Sequence, residues 1–258
     1  MANMRPAVFL LIAMALLWLG MMLGARVRLA RGEKIEEQSK LINVLEGSLL
    51  TLFGLLIGFT FSMAVSRYDL RKELIVKEAN AIGTTWLRTA TLEEPVRSQE
   101  QALLRQYVPV RVEFLAAGPD LADENESLRR TGELQGRLWA AASNYATEHR
   151  DPVTGLYLST LNDSIDASEE RTAAGENRIP TEGWCLLMFV GVIATFLVGL
   201  DVRPRSWELQ VVLPLALAGA LAMTLDLDSP RYGLIRLNQP SMDRLAQQVA
   251  GSLPQQAP

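Results

Sequence analysis

The sequence predicts an all-α integral membrane protein with four transmembrane helices in two hairpins and a soluble helical segment between the second and third helices. Two observations lead to this prediction. Four apolar stretches approach the roughly 20 residues that an α-helix needs to cross a bilayer. The polar stretch between them repeats its apolar residues at helical spacing. The mean hydropathy of +0.12 suggests a soluble protein only because this polar stretch dilutes the apolar ends.

Residues 1–66 are predicted to form the first transmembrane hairpin. Its apolar runs cover residues 6–25, which carry no charge, and residues 44–65, which carry one acid near the start, Glu46. A cleaved signal peptide is the alternative for the first run, but such peptides have apolar regions of only about 7 to 15 residues. Because the run is longer and Leu23 interrupts the small residues of a cleavage site, we expect a retained span.

Residues 67–180 are predicted to form an extra-membrane helical segment that continues from the second span. Glu73 and Lys77 have the favourable i,i+4 order, which supports a helix through residue 88. Three amphipathic helices are expected to follow. The first starts near residue 95 and should kink or divide at Pro109, because proline removes a backbone donor. The others are expected over residues 126–147 and 155–173.

Residues 181–228 are predicted to form the second transmembrane hairpin, with spans over residues 184–200 and 209–225. Thr181 is a candidate N-cap for the third span, since threonine side chains accept hydrogen bonds from the first free N–H groups of a helix. Residues 229–258 are predicted to be a short amphipathic tail that is disordered at its end.

Charge counting leaves the orientation in the membrane open. Short-segment counting, with the first hairpin loop supplying Arg26, Arg28, Arg31, Lys34 and Lys40, places the termini outside. Counting the membrane flanks of residues 67–180 reverses the balance. An even number of spans nevertheless puts both termini and the soluble segment on one face.

Composition argues against several classes of protein. The net charge of -4 gives no basic field for nucleic acid. Cys185 is the single cysteine, so we expect no disulfide within the chain. His149 is the single histidine and has no cysteine nearby, so we expect no zinc site of histidine and cysteine ligands. No nucleotide-binding loop, nucleophile elbow or metalloprotease helix is present. We therefore expect no enzyme, no cofactor and no metal.

The second span carries the clearest candidate site. Small residues recur there every fourth position and form one narrow face. One interpretation is that this face packs against another helix, as small residues commonly do in membranes. The other is that a pore in an oligomer is lined by this face or by the opposite face, which bears Phe53, Leu56 and Thr60. The small-residue face consists of Gly54, Gly58, Ser62 and Ser66.

Three groups of charged residues also have two interpretations each. Glu46 lies either at the membrane interface or on an ion path. The cluster after the second span is either an interfacial anchor or an ion-selecting vestibule; it contains Arg67, Tyr68, Asp69 and Arg71. Asp226 and Asp228 either concentrate cations or favour a helix that starts at Pro230 and is capped by Ser229.

The stretches from Gly54 to Arg71 and from Glu78 to Arg88, together with 226-DLDSPRYGLIR-236, resemble the bestrophin-like integral membrane family of bacteria. The likeness covers nearly the whole chain. Bestrophins are pentameric anion channels with four spans per subunit, cytoplasmic termini and a pore lined by the second span. The resemblance therefore implies a homo-oligomeric channel in the bacterial inner membrane. The motif residues so identified are Glu78, Asn80, Arg88, Asp226, Asp228 and Arg231.

Two hypotheses for the function follow. The first is a homo-oligomeric channel or channel-like protein that passes small ions along the second span, with the lipid bilayer and further copies of the chain as partners. The alternative is a membrane-anchored scaffold or sensor whose helical middle segment binds a protein partner. An enzyme that acts on lipid ranks third.

Overall fold

The computed structural model describes residues 5–116, 121–201, 207–229 and 233–251. These residues form eight α-helices and one short 3-10 turn, Thr89–Thr91, and they contain no β-strand. The all-α prediction is confirmed. The helices are α1 (Pro6–Glu37), α2 (Ser39–Arg88), α3 (Val96–Ala116), α4 (Leu121–Glu148), α5 (Pro152–Glu176), α6 (Thr181–Asp201), α7 (Trp207–Asp228) and α8 (Pro240–Gly251).

Four helices are long and apolar enough to cross a membrane, as predicted. They are α1, α2, α6 and α7, and α6 supplies the apolar part of the third candidate span. The chain divides into two compact units. Unit 1 comprises Met1–Tyr68 and Arg178–Ile235, and unit 2 comprises Asp69–Asn177 and Arg236–Pro258. The single helix α2 runs from one unit into the other.

Unit 1 is built on the close packing of α1 against α6 and α7. A Cβ added at Gly24 would lie 2.1 Å from the carbonyl oxygen of Phe196, and one added at Gly199 would lie 2.1 Å from that of Met21. The backbones of α1 and α6 therefore touch, which is the usual role of glycine between membrane helices. These contacts join helices from the two predicted hairpins, and the hairpin pairing itself stays a prediction.

The core of unit 1 fills the space around this crossing. Phe9 of α1 meets Trp184 of α6 edge to face, with ring centroids 5.4 Å apart. Leu17, Phe53 and Leu221 are completely buried beside them. Cys185, which follows Trp184 in α6, is exposed.

The polar residues expected to form the first hairpin loop are helical instead. α1 extends to Glu37 with one non-helical residue, Arg31, and α2 begins at Ser39. Arg28 donates to the carbonyl oxygens of Leu200 at 2.7 Å and Asp201 at 2.8 Å, at the end of α6. An arginine there satisfies free carbonyl groups and opposes the negative end of the helix dipole. The loop prediction was wrong because this polar stretch folds against a neighbouring helix end.

Unit 2 is a helical body with its own apolar core. α3 packs against α4 and α8, and α4 packs against α5. The amphipathic tail forms α8, which buries its apolar residues at helical spacing in this core; they are Met242, Leu245 and Val249. The end of the tail, residues 252–258, lies outside the described residues.

Two local predictions about helix ends and breaks need correction, at Pro109 and Thr181, and one helix cap, at Asp151, was not predicted. α3 is continuous through Pro109: the lost backbone bond is offset by the flanking residues Tyr107, Val108 and Val110, which are all buried in the unit 2 core. Asp151 caps α5, accepting the backbone N–H groups of Val153 at 2.8 Å and Thr154 at 3.0 Å. Thr181 is the first residue of α6 and therefore not its N-cap.

Replacing Gly199 with alanine should weaken unit 1, because the new methyl group would overlap the backbone of α1. Overpacking of this kind costs about 1 to 3 kcal/mol or more. Gly219→Ala is the matched control, since a Cβ at Gly219 of α7 would meet nothing within 4 Å. Thermal unfolding in one detergent, followed by circular dichroism, should show a lower midpoint for Gly199→Ala only. Equal midpoints for the two variants would contradict the packing.

Candidate functional site

The membrane part of α2 exposes its small-residue face. Gly54, Gly58, Ser62 and Ser66 are all exposed. A Cβ added at either glycine would meet no atom within 4 Å. The apolar window of this helix is 11% buried, against 33%, 56% and 39% for the other three candidate spans. In the described part of a single chain, this face therefore has no packing partner.

A similar stripe of small residues on α6, Gly191, Thr195 and Gly199, has the opposite environment. A Cβ at Gly191 would lie 2.9 Å from the ring of Phe53, and Thr195 is completely buried. Ala218 and Ala222 of α7 are buried as well. Helix packing within the chain thus accounts for the small residues of α6 and α7. It does not account for those of α2.

The other side of α2 anchors this helix to the core of unit 1. Phe53 and Ala64 are completely buried. Leu56 is partly buried against the same core, and the partly buried Thr60 donates its hydroxyl to the Leu56 carbonyl at 2.7 Å. The two faces named from the sequence therefore differ: one packs inside the chain, and the other is open.

Arg67 and Asp228 tie the end of the membrane part of α2 to the end of α7. Arg67 Nη1 lies 3.4 Å from Asp228 Oδ1, and the Asp228 side chain is 3% exposed. The other oxygen of Asp228 accepts the backbone N–H of Ile179 at 2.9 Å. Tyr68 packs against the same core. Three segments of unit 1 therefore meet at one buried carboxylate.

Asp226 fixes the chain that follows α7. Its carboxylate accepts the backbone N–H groups of Leu234 at 2.7 Å and Ile235 at 2.9 Å. A Cβ added at Gly233 would lie 2.1 Å from Asp226 Oδ1, so only glycine leaves room for this turn. Arg231 and a helix start at Pro230 fall outside the described residues, and residues 233–239 are not helical.

The motif residues of α2 within unit 2 divide into buried and exposed groups. Arg71 is 3% exposed and donates to the carbonyl oxygens of Ala174 at 3.0 Å and Asn177 at 2.9 Å, at the end of α5. Arg88, at the end of α2, donates to the carbonyl oxygen of Leu156 in α5 at 2.8 Å. Asp69 and Asn80, by contrast, are exposed. Arg71 is thus buried and Arg88 half-buried, and Asp69 and Asn80 are the most exposed of these four residues.

Glu78 is the centre of a buried charge cluster that sequence reasoning missed. Arg111 Nε donates to one of its oxygens at 2.5 Å, and Arg171 Nη1 donates to the other at 2.6 Å. The three side chains are 0%, 0% and 4% exposed. The ring of Phe114 lies 4.7 Å from the Arg111 guanidinium and 5.7 Å from that of Arg171. Burial lowers the pKa of Arg171, and the Glu78 carboxylate opposes this shift.

The cluster also reaches Gln239, the residue before α8. Arg171 Nη2 donates to Gln239 Oε1 at 3.2 Å, and Gln239 Nε2 donates to the Val112 carbonyl at 3.0 Å. Arg111 and Arg171 lie 33 and 93 residues from Glu78, so no local spacing in the sequence could identify the pairs. The cluster thus joins α2, α3, α5 and the residue before α8, and we call it the Glu78 clasp of unit 2.

Glu78→Gln should destabilise unit 2 strongly, because it leaves two buried arginines without a counter-charge. Breaking a buried pair in this way costs about 3 to 5 kcal/mol. Glu170→Gln is the matched control: Glu170 pairs with Lys77 on the surface, where the side chains are 46% and 55% exposed. An exposed pair contributes about 0 to 1 kcal/mol. Denaturant unfolding of the full chain compares the two variants, and similar losses would contradict the clasp.

A second buried carboxyl in unit 2 forms no ion pair with any described residue. Glu100 is completely buried, and its Oε2 accepts the hydroxyl of Tyr157 at 2.8 Å. Its Oε1 has no hydrogen-bond partner among the described residues. Burial raises the pKa of Glu100 to about 7, and the Tyr157 hydrogen bond only partly opposes this rise. Burial and the Glu100 charge together raise the pKa of Tyr157.

The stability of unit 2 should therefore fall as pH rises from about 4.5 to 7. In this window the folded chain holds the Glu100 proton more tightly than the unfolded chain, whose carboxyl has the ordinary pKa of 4.5. Glu100→Gln mimics the protonated carboxyl, so its stability relative to the native chain should increase across the window. Glu169→Gln, at an exposed position of α5, is the control. Unfolding midpoints at several pH values test this, and parallel profiles would refute it.

Metal binding finds no support in the described residues. They contain no group of three or more His, Cys, Asp or Glu side chains that could hold an ion. Glu46 lies half-buried in α2. The open face of α2 remains the candidate site, and Arg67, one residue after it, is paired with Asp228.

Comparison with solved structures finds the same fold in a bacterial bestrophin homologue from Klebsiella pneumoniae. One variant of that protein matches with a TM-score of 0.64 at 11% identity, covering 94% of this chain and 97% of the other. A second variant matches with a TM-score of 0.64 at 12% identity over 94% and 99%. The structure phased from zinc gives 0.64 at 11% over 93% and 97%. At such identities the likeness concerns the fold alone. No curated protein matches the chain.

The chain therefore has a bestrophin-like fold with four helices that are long and apolar enough to span a membrane. The chain belongs to the bestrophin-like family, whose domain profile matches residues 7–242. The resemblance inferred from the sequence motifs is confirmed.

Proposed function

We propose that this protein is a homo-oligomeric channel of the bacterial inner membrane that passes small ions along a path lined by α2. The observation that supports the proposal best is the open small-residue face of Gly54, Gly58, Ser62 and Ser66. Membrane helices normally bury such faces, as α6 does here. An unoccupied face in the single chain calls for further copies, for water, or for both.

A path lined by this face requires several copies of the chain around an axis. Glycine leaves the bore wide, and the hydroxyl groups of Ser62 and Ser66 offer hydrogen bonds to a partly dehydrated ion. The family resemblance suggests five copies. The buried residues on the other side of α2, Phe53 and Ala64, would hold each helix to its own subunit while the open side faces the axis.

Within unit 2, α2 exposes side chains of both charges. Asp69, Glu73, Lys77 and Asn80 recur on this part of the helix at positions three or four residues apart, and all four are exposed. Repeated around an axis, they would form rings of charge that bias which ions enter. The mixture of signs fits a vestibule without strong exclusion of either charge.

The test is ion flux through liposomes that contain the purified protein. Flux of chloride, sodium or potassium above that of empty liposomes is the expected result, and no difference across all salts would contradict the proposal. Native mass spectrometry of the same preparation measures the number of subunits, and single-particle imaging locates α2 relative to the symmetry axis. A monomer, or a ring with α2 away from the axis, would remove the shared path.

Gly58→Leu should reduce conductance several-fold and leave the oligomer intact, because the new side chain would project into the path. Gly219→Leu is the matched control, since α7 also has open space at this glycine. Loss of the oligomer in Gly58→Leu would identify the face as a packing surface between subunits. Unchanged flux with an intact oligomer would exclude this face as the lining.

The alternative is a membrane-anchored scaffold or sensor. The feature that favours it is the separate apolar core of unit 2, which gives this unit the character of a domain. A scaffold predicts a protein partner that co-purifies through unit 2 and no flux in any salt. The liposome experiment therefore separates the two functions.

A further inference from the structure

Two hydrogen bonds tie the end of α2 to neighbouring helices of unit 2. Arg88, the last residue of α2, donates to the Leu156 carbonyl oxygen of α5 at 2.8 Å. Gln101 of α3 donates at 3.0 Å to the hydroxyl of Thr89, the first residue after α2. The Thr89 hydroxyl in turn donates to the Trp86 carbonyl oxygen at 2.7 Å. The end of α2 is therefore bonded to both α3 and α5.

A third hydrogen bond, between Tyr157 and Glu100, joins α5 directly to α3. Tyr157 follows Leu156 in the chain and donates to Glu100 Oε2 at 2.8 Å, and Glu100 precedes Gln101. Each partner in this bond is therefore the chain neighbour of a residue that is bonded to the end of α2. We call these three hydrogen bonds the α2-end junction: Arg88 with Leu156, Gln101 with Thr89, and Tyr157 with Glu100.

Glu100 occupies an unusual environment for a carboxyl group. Its side chain is completely buried, and Tyr157 is 1% exposed. Glu100 Oε1 has no hydrogen-bond partner among the described residues, and Glu100 forms no ion pair with any of them. A carboxylate is costly in such a place, because one neutral hydroxyl replaces all of its water. Burial accordingly raises the pKa of Glu100 to about 7.

The charged and titratable groups of the surrounding elements have other contacts. In α3, Arg97 donates to the Leu92 carbonyl oxygen at 2.8 Å, and the Arg105 guanidinium lies 5.1 Å from the centre of the Trp86 ring. The charged residues of α4, α5 and α8 outside the Glu78 clasp include many that are exposed: Arg129, Arg130, Glu133, Arg137, Glu148, Asp163, Asp166, Asp243 and Arg244. In α4, Tyr145 stacks on His149, which follows that helix. The titratable group in contact with Glu100 is Tyr157.

We propose that Glu100 is a proton-dependent latch that holds the end of α2 within unit 2. With the proton bound, the carboxyl is neutral and Tyr157 stays packed against α3. When the proton leaves, the carboxylate gains free energy by reaching water, and reaching water requires the contact between α3 and α5 to open. Because Gln101 and Leu156 are the chain neighbours of the two partners, this opening also releases the end of α2. The latch regulates the conformation of unit 2 and does not depend on ion conduction.

Hydrogen–deuterium exchange of the full chain in detergent at pH 5, 6, 7 and 8, corrected for the intrinsic exchange rate at each pH, tests the latch. Opening of residues 85–101 and 152–164 should increase about tenfold between pH 6 and pH 8. The reason is that the carboxyl loses its proton at about pH 7 when buried and at about pH 4.5 when exposed. Exchange in α1 and α6 of unit 1 should not follow this change.

Three variants identify the group responsible. Glu100→Gln should keep both segments protected at all four pH values, because an amide has the shape of the protonated carboxyl and does not ionise. Glu113→Gln is the matched control: Glu113 lies on the same helix, is 57% exposed and pairs with Arg130 at the surface, so its variant should keep the native pH dependence. Tyr157→Phe should move the opening to higher pH, because the Tyr157 hydrogen bond lowers the pKa of Glu100.

Equal pH dependence of the native chain and Glu100→Gln would overturn the proposal. If Glu100→Gln does not fold, Tyr157→Phe decides, and opening at lower or unchanged pH in that variant would overturn it as well. Uniform loss of protection across unit 2, including α4 and the Glu78 clasp, would show that the proton affects only global stability and would exclude a local latch. The predicted exchange pattern in a protein without ion flux would support the latch and argue against the channel.

Discussion

The organisation of unit 2 depends on one buried carboxylate. Glu78 of α2 binds arginines from α3 and α5, and Arg171 continues the chain of hydrogen bonds to Gln239 in front of α8. Removing three charges from water is costly. The hydrogen bonds of the cluster offset this cost, and Arg111 Nη1 is the buried nitrogen in it that has no partner among the described residues. The cluster carries one more positive than negative charge, and the face of Phe114 and the nearby carbonyl oxygens partly offset this excess. Such an arrangement permits few alternative packings of the four elements. We infer that the cluster favours one orientation of these helices.

Much of the fold could be predicted from the sequence because its signals are local. Apolar length predicts the spans, and helical spacing predicts the soluble helices. The errors concern places where a neighbouring element decides. Arg28 was assigned to a loop, but it is helical and binds the end of α6. Pro109 was expected to kink or divide its helix, and the helix is not divided there.

The candidate site was predicted only in part, and for a physical reason. A stripe of small residues has the same spacing whether it packs or stays open. Only the three-dimensional environment separates Gly199, whose Cβ would touch the backbone of α1, from Gly58, which has empty space around it. Likewise Glu78 and Asn80 belong to one motif and lie two residues apart, yet one is completely buried and the other exposed. Burial depends on partners that lie far away in the chain.

The exposed Cys185 on α6 provides a specific site for chemical labelling, whatever the function of the protein. It is the only cysteine among the 258 residues, so a chain of this sequence offers a single thiol. A fluorescent maleimide attached there puts one dye on each copy without any mutation. In a single detergent particle, the number of bleaching steps then equals the number of labelled copies. The assembly can therefore be counted one molecule at a time.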